Sequence, residues 1–337
     1  MSFIEVKSIS NEFKVNKRSA GIPGMIANMF VPKFEIKKAV NDLSFTIEKG
    51  EMVGFIGPNG AGKSSTIKML SGILCPDKGS ITVGGFIPYK QRKSYVGNIG
   101  VVFGQKSQLQ WDLPVIDSFE LLRAIYRIPE EKYKRNLDRF TEMLDMKSFI
   151  NQPVRQLSLG QRMRSDIVAS LLHSPEIVFF DEPTIGVDII GKETIRSFIK
   201  ELNEQDKVTM IFTTHDMQDI EQTCNRIIII DKGSLMYDGS LQEIRSKYGT
   251  SRRLIAEFNE ETAVAPIKIV IIEDLTDRKA SFTFDNNVVD VNKLMHEVLE
   301  KYSVHDVTVA EPEIESIIQK MYKWRYLHDD FSLSYFC

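Results

Sequence analysis

The chain has 337 residues, 42% of them hydrophobic and 26% charged, a balance that suits a soluble globular protein of more than one domain. Its net charge of −3 supplies no basic field, so no nucleic-acid partner is expected. No apolar run approaches the ~20 residues of a membrane-spanning helix. The start MSFIEVKSIS does not read as a secretory leader, and Cys75, Cys224 and Cys337 share no metal spacing and suit a reducing compartment.

Phe3, Ile4, Val6 and Ile9 open the chain with strand character, and Phe13 follows. Lys14 to Lys38 is less regular, mixing Lys17, Arg18, Lys33, Lys37 and Lys38 with Met25, Ile26, Met29, Phe30 and Val31. It reads as an extended hairpin on its own domain, with contact to lipid or a membrane partner as the alternative. Val40, Leu43, Phe45 and Ile47 lead into Met52–Ile56, an apolar run expected to be a buried strand. Gly57-Pro58-Asn59-Gly60-Ala61-Gly62-Lys63-Ser64 then fits G-x-x-x-x-G-K-[ST], and Ile67, Met69, Leu70 and Ile73 beyond it suit a helix. A strand, glycine turn and helix in that order make a phosphate site, because glycines let main-chain N–H groups crowd an anion at a helix N-terminus. Lys63 is placed to reach the β- and γ-phosphates of a nucleotide and Ser64 to meet Mg²⁺, while Ser65 counts with the turn among the nucleotide-binding residues.

Ser80–Val83 and Val101–Phe103 read as strands. Phe119, Leu122 and Tyr126 form one helical stripe, and Tyr133, Leu137, Phe140 and Leu144 another, which marks an inserted helical subdomain over about 106–172. A further helix comes after Leu157-Ser158-Leu159-Gly160-Gln161, with serine a favoured N-cap. Ile177–Phe180 has no polar face, as in a parallel sheet covered on both sides. Helix Lys192–Leu202 and strands Val208–Thr213, Ile227–Ile230 and Ser234–Tyr237 continue the α/β alternation. Composition shifts after 248. Leu254–Phe258, Ile267–Ile272, Ala280–Phe284 and Val304–Val309 read as strands. Val291–Leu299 and Ile314–Met321 read as helices, and 324–337 is an unpatterned tail. The expected domains are therefore 1–248 and 249–323.

Asp181-Glu182 ends a buried strand, where open α/β sheets gather their ligands. Asp181 suits Mg²⁺, a cation that prefers oxygen donors. Glu182 suits the base that polarises water for attack on the γ-phosphate.

The order of P-loop, Gln105, LSLGQ, FFDEP and His215 resembles the ATP-binding subunit of ABC transporters over roughly Phe3 to Ser246. That resemblance implies a P-loop NTPase fold: α/β, with a mixed, mainly parallel sheet, an inserted helical subdomain and a small C-terminal α+β domain. It implies that Gln105 contacts Mg²⁺ and the attacking water, and that His215 contacts the γ-phosphate. Ser158, Gly160 and Gln161 match the signature sequence, which in this family faces the γ-phosphate held by a second subunit. Leu159 stands where the family usually has glycine. Asp188 matches the D-loop aspartate, and Phe13, with Phe34 as runner-up, the aromatic that stacks on adenine. The segment Gly104–Leu109 followed by Trp111-Asp112-Leu113-Pro114 looks like bacterial drug and polysaccharide exporter ATPases, which makes Trp111 a candidate for coupling to a permease or for packing the helical subdomain.

The expected function is an ATPase that uses ATP and Mg²⁺ to drive export through a separate permease, with a second copy or a paralogue as dimer partner, at the cytoplasmic face of the plasma membrane. The alternative is a soluble ATPase of the same type acting on ribosomes or DNA.

Overall fold

The structure, a computed structural model, describes residues 2–16, 34–104, 106–214 and 216–327. It divides into two compact units, Met1–Asp238 and Gly239–Cys337. The compositional shift after 248 lies one short helix further along.

In the first unit, strands β1 (Ile4–Asn16) and β2 (Phe34–Ile47) pair antiparallel from Ile4↔Ile47 to Asn16↔Phe34. β4 (Lys78–Val83) completes a three-stranded sheet in the order β2-β1-β4. The stretch from Lys14 that reads as irregular in sequence is thus strand as far as Asn16, and strand again from Phe34. Glu12, Phe13 and Lys14 are exposed on one arm and Ile36, Lys37 and Lys38 on the other, so no buried face imposes alternation there. Backbone pairing carries the hairpin without it. The basic and apolar residues Lys17 to Lys33 lie outside the described residues.

The larger sheet has six strands. Numbered in chain order these are β3 (Met52–Ile56), β5 (Ile99–Phe103), β6 (Ile177–Asp181), β7 (Thr209–Thr213), β8 (Arg226–Asp231) and β9 (Ser234–Ser240), and in space they run β5-β6-β7-β3-β8-β9. The first five pair in parallel. All of β3 and β7 and four of the five residues of β6 are buried, as strands covered on both faces must be. Helix α1 (Lys63–Leu70) comes after β3 and shares one core with both sheets: Ile67, Met69 and Leu70 meet Ile4, Val6 and Leu43 from one and Val53, Phe55 and Ile228 from the other. Helices α2 (Val115–Tyr126), α3 (Glu130–Met143) and α4 (Leu159–Leu171) form the expected helical insertion between β5 and β6. Helix α5 (Ile189–Asp206) joins β6 to β7, and a short helix, α6 (Met217–Thr223), joins β7 to β8.

The second unit is built on an antiparallel sheet of β10 (Ser251–Phe258), β11 (Ile271–Thr276), β12 (Lys279–Asp285) and β13 (Val304–Ala310), in the order β11-β12-β10-β13. Leu254, Ala256, Phe258, Phe282 and Phe284 on one face meet Leu294 and Val298 of the helix Val291–Lys301. The helices Leu241–Tyr248 and Ile314–Leu327 pack on each other. Two readings from sequence change here. Ile267–Val270 is a turn closed by the Val270 amide on the Ile267 carbonyl at 3.3 Å, and the strand starts only at Ile271. The last helix runs on to Leu327, past the point where the pattern fades.

Candidate functional site

Four parallel strands point their carboxyl ends at one place, and the residues just beyond those ends make the site. After β3 the chain turns through Gly57–Gly62 into α1. Gly60 and Gly62 have φ of +82° and +107°, a region L side chains rarely adopt. A Cβ on Gly62 would also lie 2.4 Å from the Ala39 carbonyl oxygen, so only glycine fits against β2. Lys63 is 6% exposed, and its ammonium donates to the Gly57 carbonyl at 2.6 Å and the Pro58 carbonyl at 3.4 Å. Burial holds the Lys63 ammonium below its usual pKa, an effect that the Glu182 and Asp181 carboxylates oppose.

After β6 come Asp181 and Glu182. The Ser64 hydroxyl donates to Asp181 Oδ1 at 3.3 Å, and the Thr213 hydroxyl donates to the same oxygen at 2.8 Å. Ser64 and Asp181 therefore present hard oxygen donors side by side, a set that fits Mg²⁺ together with substrate phosphate. Among the described residues no cluster of three His, Cys, Asp or Glu side chains could hold a metal without such help. Glu182 has a φ of +59°, uncommon for a residue with a side chain. Its amide is fixed by the Thr213 carbonyl at 3.0 Å and the Thr213 hydroxyl at 3.2 Å.

Two clefts meet at these carboxylates. The larger, about 360 Å³, is walled by Phe13, Lys37, Ala39, Pro58, Asn59, Gly60, Gly62, Lys63, Ser64, Ser65 and Glu182, and falls in the range of small-molecule sites. Phe13 is 39% exposed and pairs with Lys37 across the hairpin, so its ring edges the glycine turn. Phe34 pairs with Asn16, further toward the hairpin tip. The second cleft is walled by Ser64, Asp181 and Glu182 together with Phe103, Gly104 and Lys106. Gln105 and His215 lie outside the described residues. Their neighbours Gly104, Lys106 and Thr214 are in place at the ends of β5 and β7.

Ser158, Gly160 and Gln161 stand elsewhere, at the start of α4, and wall neither cleft. The Ser158 hydroxyl accepts the Gln161 amide at 3.2 Å, and the Gln161 side chain accepts the Ser158 amide at 2.9 Å, a reciprocal cap. Leu159, 36% exposed, lies against Gly186, where a Cβ would come within 2.4 Å of the leucine methyl. Asp188 caps α5, accepting the Gly191 amide at 2.7 Å. Trp111 is 54% exposed and so is not a core residue, and the Arg162 guanidinium lies 5.6 Å above its ring.

The structure adds two residues that the sequence does not announce. Thr213 orients both Asp181 and Glu182. Asp219, fully buried, accepts hydrogen bonds from Thr184 at 2.5 Å, Thr214 at 3.1 Å and Arg196 at 3.0 Å. It ties the chain beyond Glu182 to the chain just before His215. Acidic residues in a polar helix give no such signal until the fold is known.

Comparison with known proteins meets this geometry directly. The family profile described as ABC transporter matches residues 40–185. The ABC transporter ATP-binding protein NatA of Bacillus subtilis is 35% identical over 215 residues, which are 64% of this chain and 87% of NatA. The linearmycin resistance ATP-binding protein LnrL of the same organism is 30% identical over 289 residues, 83% of this chain and 92% of LnrL. A dimeric ATP-binding cassette solved in a post-hydrolysis state with ADP and Pi superposes with a TM-score of 0.59 at 26% identity, over 71% of this chain and 98% of that one. The chain belongs to the ABC transporter family, as an ATP-hydrolysing, ATP-binding subunit. That membership sets aside the ribosome- and DNA-acting alternative.

Proposed function

We propose that this subunit powers export through a separate membrane permease, by closing on ATP as a dimer and reopening after hydrolysis. One observation carries the dimer: the signature residues wall neither cleft of the chain that holds the P-loop. A second subunit, a copy or a paralogue, then supplies Ser158, Gly160 and Gln161 to the γ-phosphate, with the N-terminal end of α4 favouring the anion. Asp188 lies at the same junction. The name of the linearmycin resistance relative supports efflux as the direction. Among the described residues no helix is long and apolar enough to cross a membrane, which fits a peripheral subunit on the cytoplasmic face.

Within one chain each residue takes a separate role. Residues 57–65 cradle the phosphates, Lys63 neutralises the β- and γ-oxygens, and Phe13 stacks on adenine. Ser64 and Asp181, with Gln105, would hold Mg²⁺, which when bound supplies charge neutralisation on the phosphate oxygens. Glu182 polarises the attacking water, and His215 contacts the γ-phosphate. Residues 1–248 form the ATPase domain and 249–323 an accessory domain. Trp111, exposed beside the helical insertion, is the permease contact.

Substituting Glu182→Gln tests this reading. The base is worth about 10²–10⁴ in rate, so phosphate release should fall by that factor while ATP binding persists and a dimer accumulates by light scattering. Turnover near the parent value would remove Glu182 from the role.

A further inference from the structure

Arg162 and Asp166 lie one turn apart on α4, and both reach the chain segment just after position 105. Arg162 covers Trp111. The Asp166 carboxylate accepts the Ser107 hydroxyl at 2.9 Å and the Gln108 amide at 3.0 Å, both on Oδ1. The Gln108 side chain returns a hydrogen bond to the Asp166 carbonyl at 3.1 Å, and the Ser107 hydroxyl accepts the Leu109 amide at 3.2 Å.

Asp166 is 5% exposed. A carboxylate in such a place is costly unless it is hydrogen-bonded. Burial pushes its carboxyl up to about 6, and the Gln108 and Ser107 hydrogen bonds, with the Arg162 charge, oppose that shift. An alanine or leucine would fill this flank of α4 at no such cost. What the carboxylate adds is a join between two stretches of chain distant in sequence. One is the helix whose first turn is Ser158–Gln161. The other starts two residues after Gln105 and runs to Trp111.

We propose that Asp166 is a positioning residue that locks the 107–109 segment to the signature helix, so that movement of that segment at the nucleotide and closure of the signature onto phosphate occur together. The lock rests on the dimer closure proposed above. Its effect is on closure and not on nucleotide capture, because among the described residues the hydrogen bonds of Asp166, Ser107 and Gln108 do not reach the P-loop.

The test uses the full chain carrying Glu182→Gln, titrated with ATP and followed by light scattering, with binding of a fluorescent ADP analogue measured alongside. Adding Asp166→Ala removes both hydrogen bonds onto Oδ1 and should raise the ATP concentration for half-dimerisation about tenfold or more, with ADP-analogue affinity unchanged. Asp166→Asn keeps Oδ1 as an acceptor and should restore most of the parent behaviour. A purely structural residue would shift both readouts together. Should Asp166→Ala fail to fold, Ser107→Ala removes a donor without touching α4 and should move the dimerisation curve alone. An unmoved curve in the folded alanine variant, or in Ser107→Ala where that one is used, overturns the lock. If Glu182→Gln itself never dimerises with ATP, the dimer reading falls and the lock with it.

Discussion

The glycine turn after β3 and the first turn of α4 are both helix N-termini suited to phosphate, yet they are built differently. At the first, two glycines in left-handed backbone, a buried lysine and the Asp181 carboxylate converge within one chain. At the second, Ser158 and Gln161 satisfy each other, and Leu159 leans on Gly186. One end is a binding site that a single chain can assemble. The other is a stable capped helix which, in the dimer proposed above, joins a site only when a second chain brings phosphate to it. Affinity for nucleotide and affinity for a partner should therefore be separable by mutation.

The largest separation is expected at the first end. Lys63→Ala should weaken ATP binding about a hundredfold or more, since each hydrogen bond from a charged group contributes about 1.5–3 kcal/mol, and equilibrium binding of labelled ATP would show it. Near-parent affinity would break the comparison at its root. At the second end, Ser158→Ala should leave ADP affinity of the single chain unchanged while weakening ATP-dependent dimerisation about tenfold in sedimentation. The same change removes a helix cap worth about 1 kcal/mol, so a thermal melt must accompany it. The smallest effect sharpens the first end. Phe13→Ala should cost about fivefold to tenfold in affinity for ATP, the scale of one base stacked on an aromatic ring, and much less for inorganic triphosphate.

Legibility in the sequence tracked chain distance. The P-loop, Asp181-Glu182 and LSLGQ are short motifs whose residues act beside their own neighbours, so order along the chain is enough to find them. Thr213 is different. It matters because β6 and β7 pair in parallel with Asp181 opposite Thr213, and a threonine ending a strand looks ordinary until that register is known. Asp166 and Asp219 belong to no motif in the sequence, and only packing shows them buried. The hairpin arms were obscured because exposed charges on both sides leave no alternating pattern. Conversely, the aliphatic run at Ile267–Ile272 suggested a strand where Pro266 and a turn come first.

Gly104 gives the geometry one more consequence. A Cβ at this position would come within 2.3 Å of the Glu182 carbonyl oxygen, and the Gly104 amide already donates to the Asp181 carbonyl at 2.8 Å. The residue before Gln105 is thus in main-chain contact with the two acidic residues. A displacement of one stretch cannot be absorbed by a side-chain rotation, because no side chain intervenes. On the roles proposed above for Gln105 and Glu182, the chain leading to the first and the chain carrying the second share a main-chain joint, so that neither is re-aimed alone.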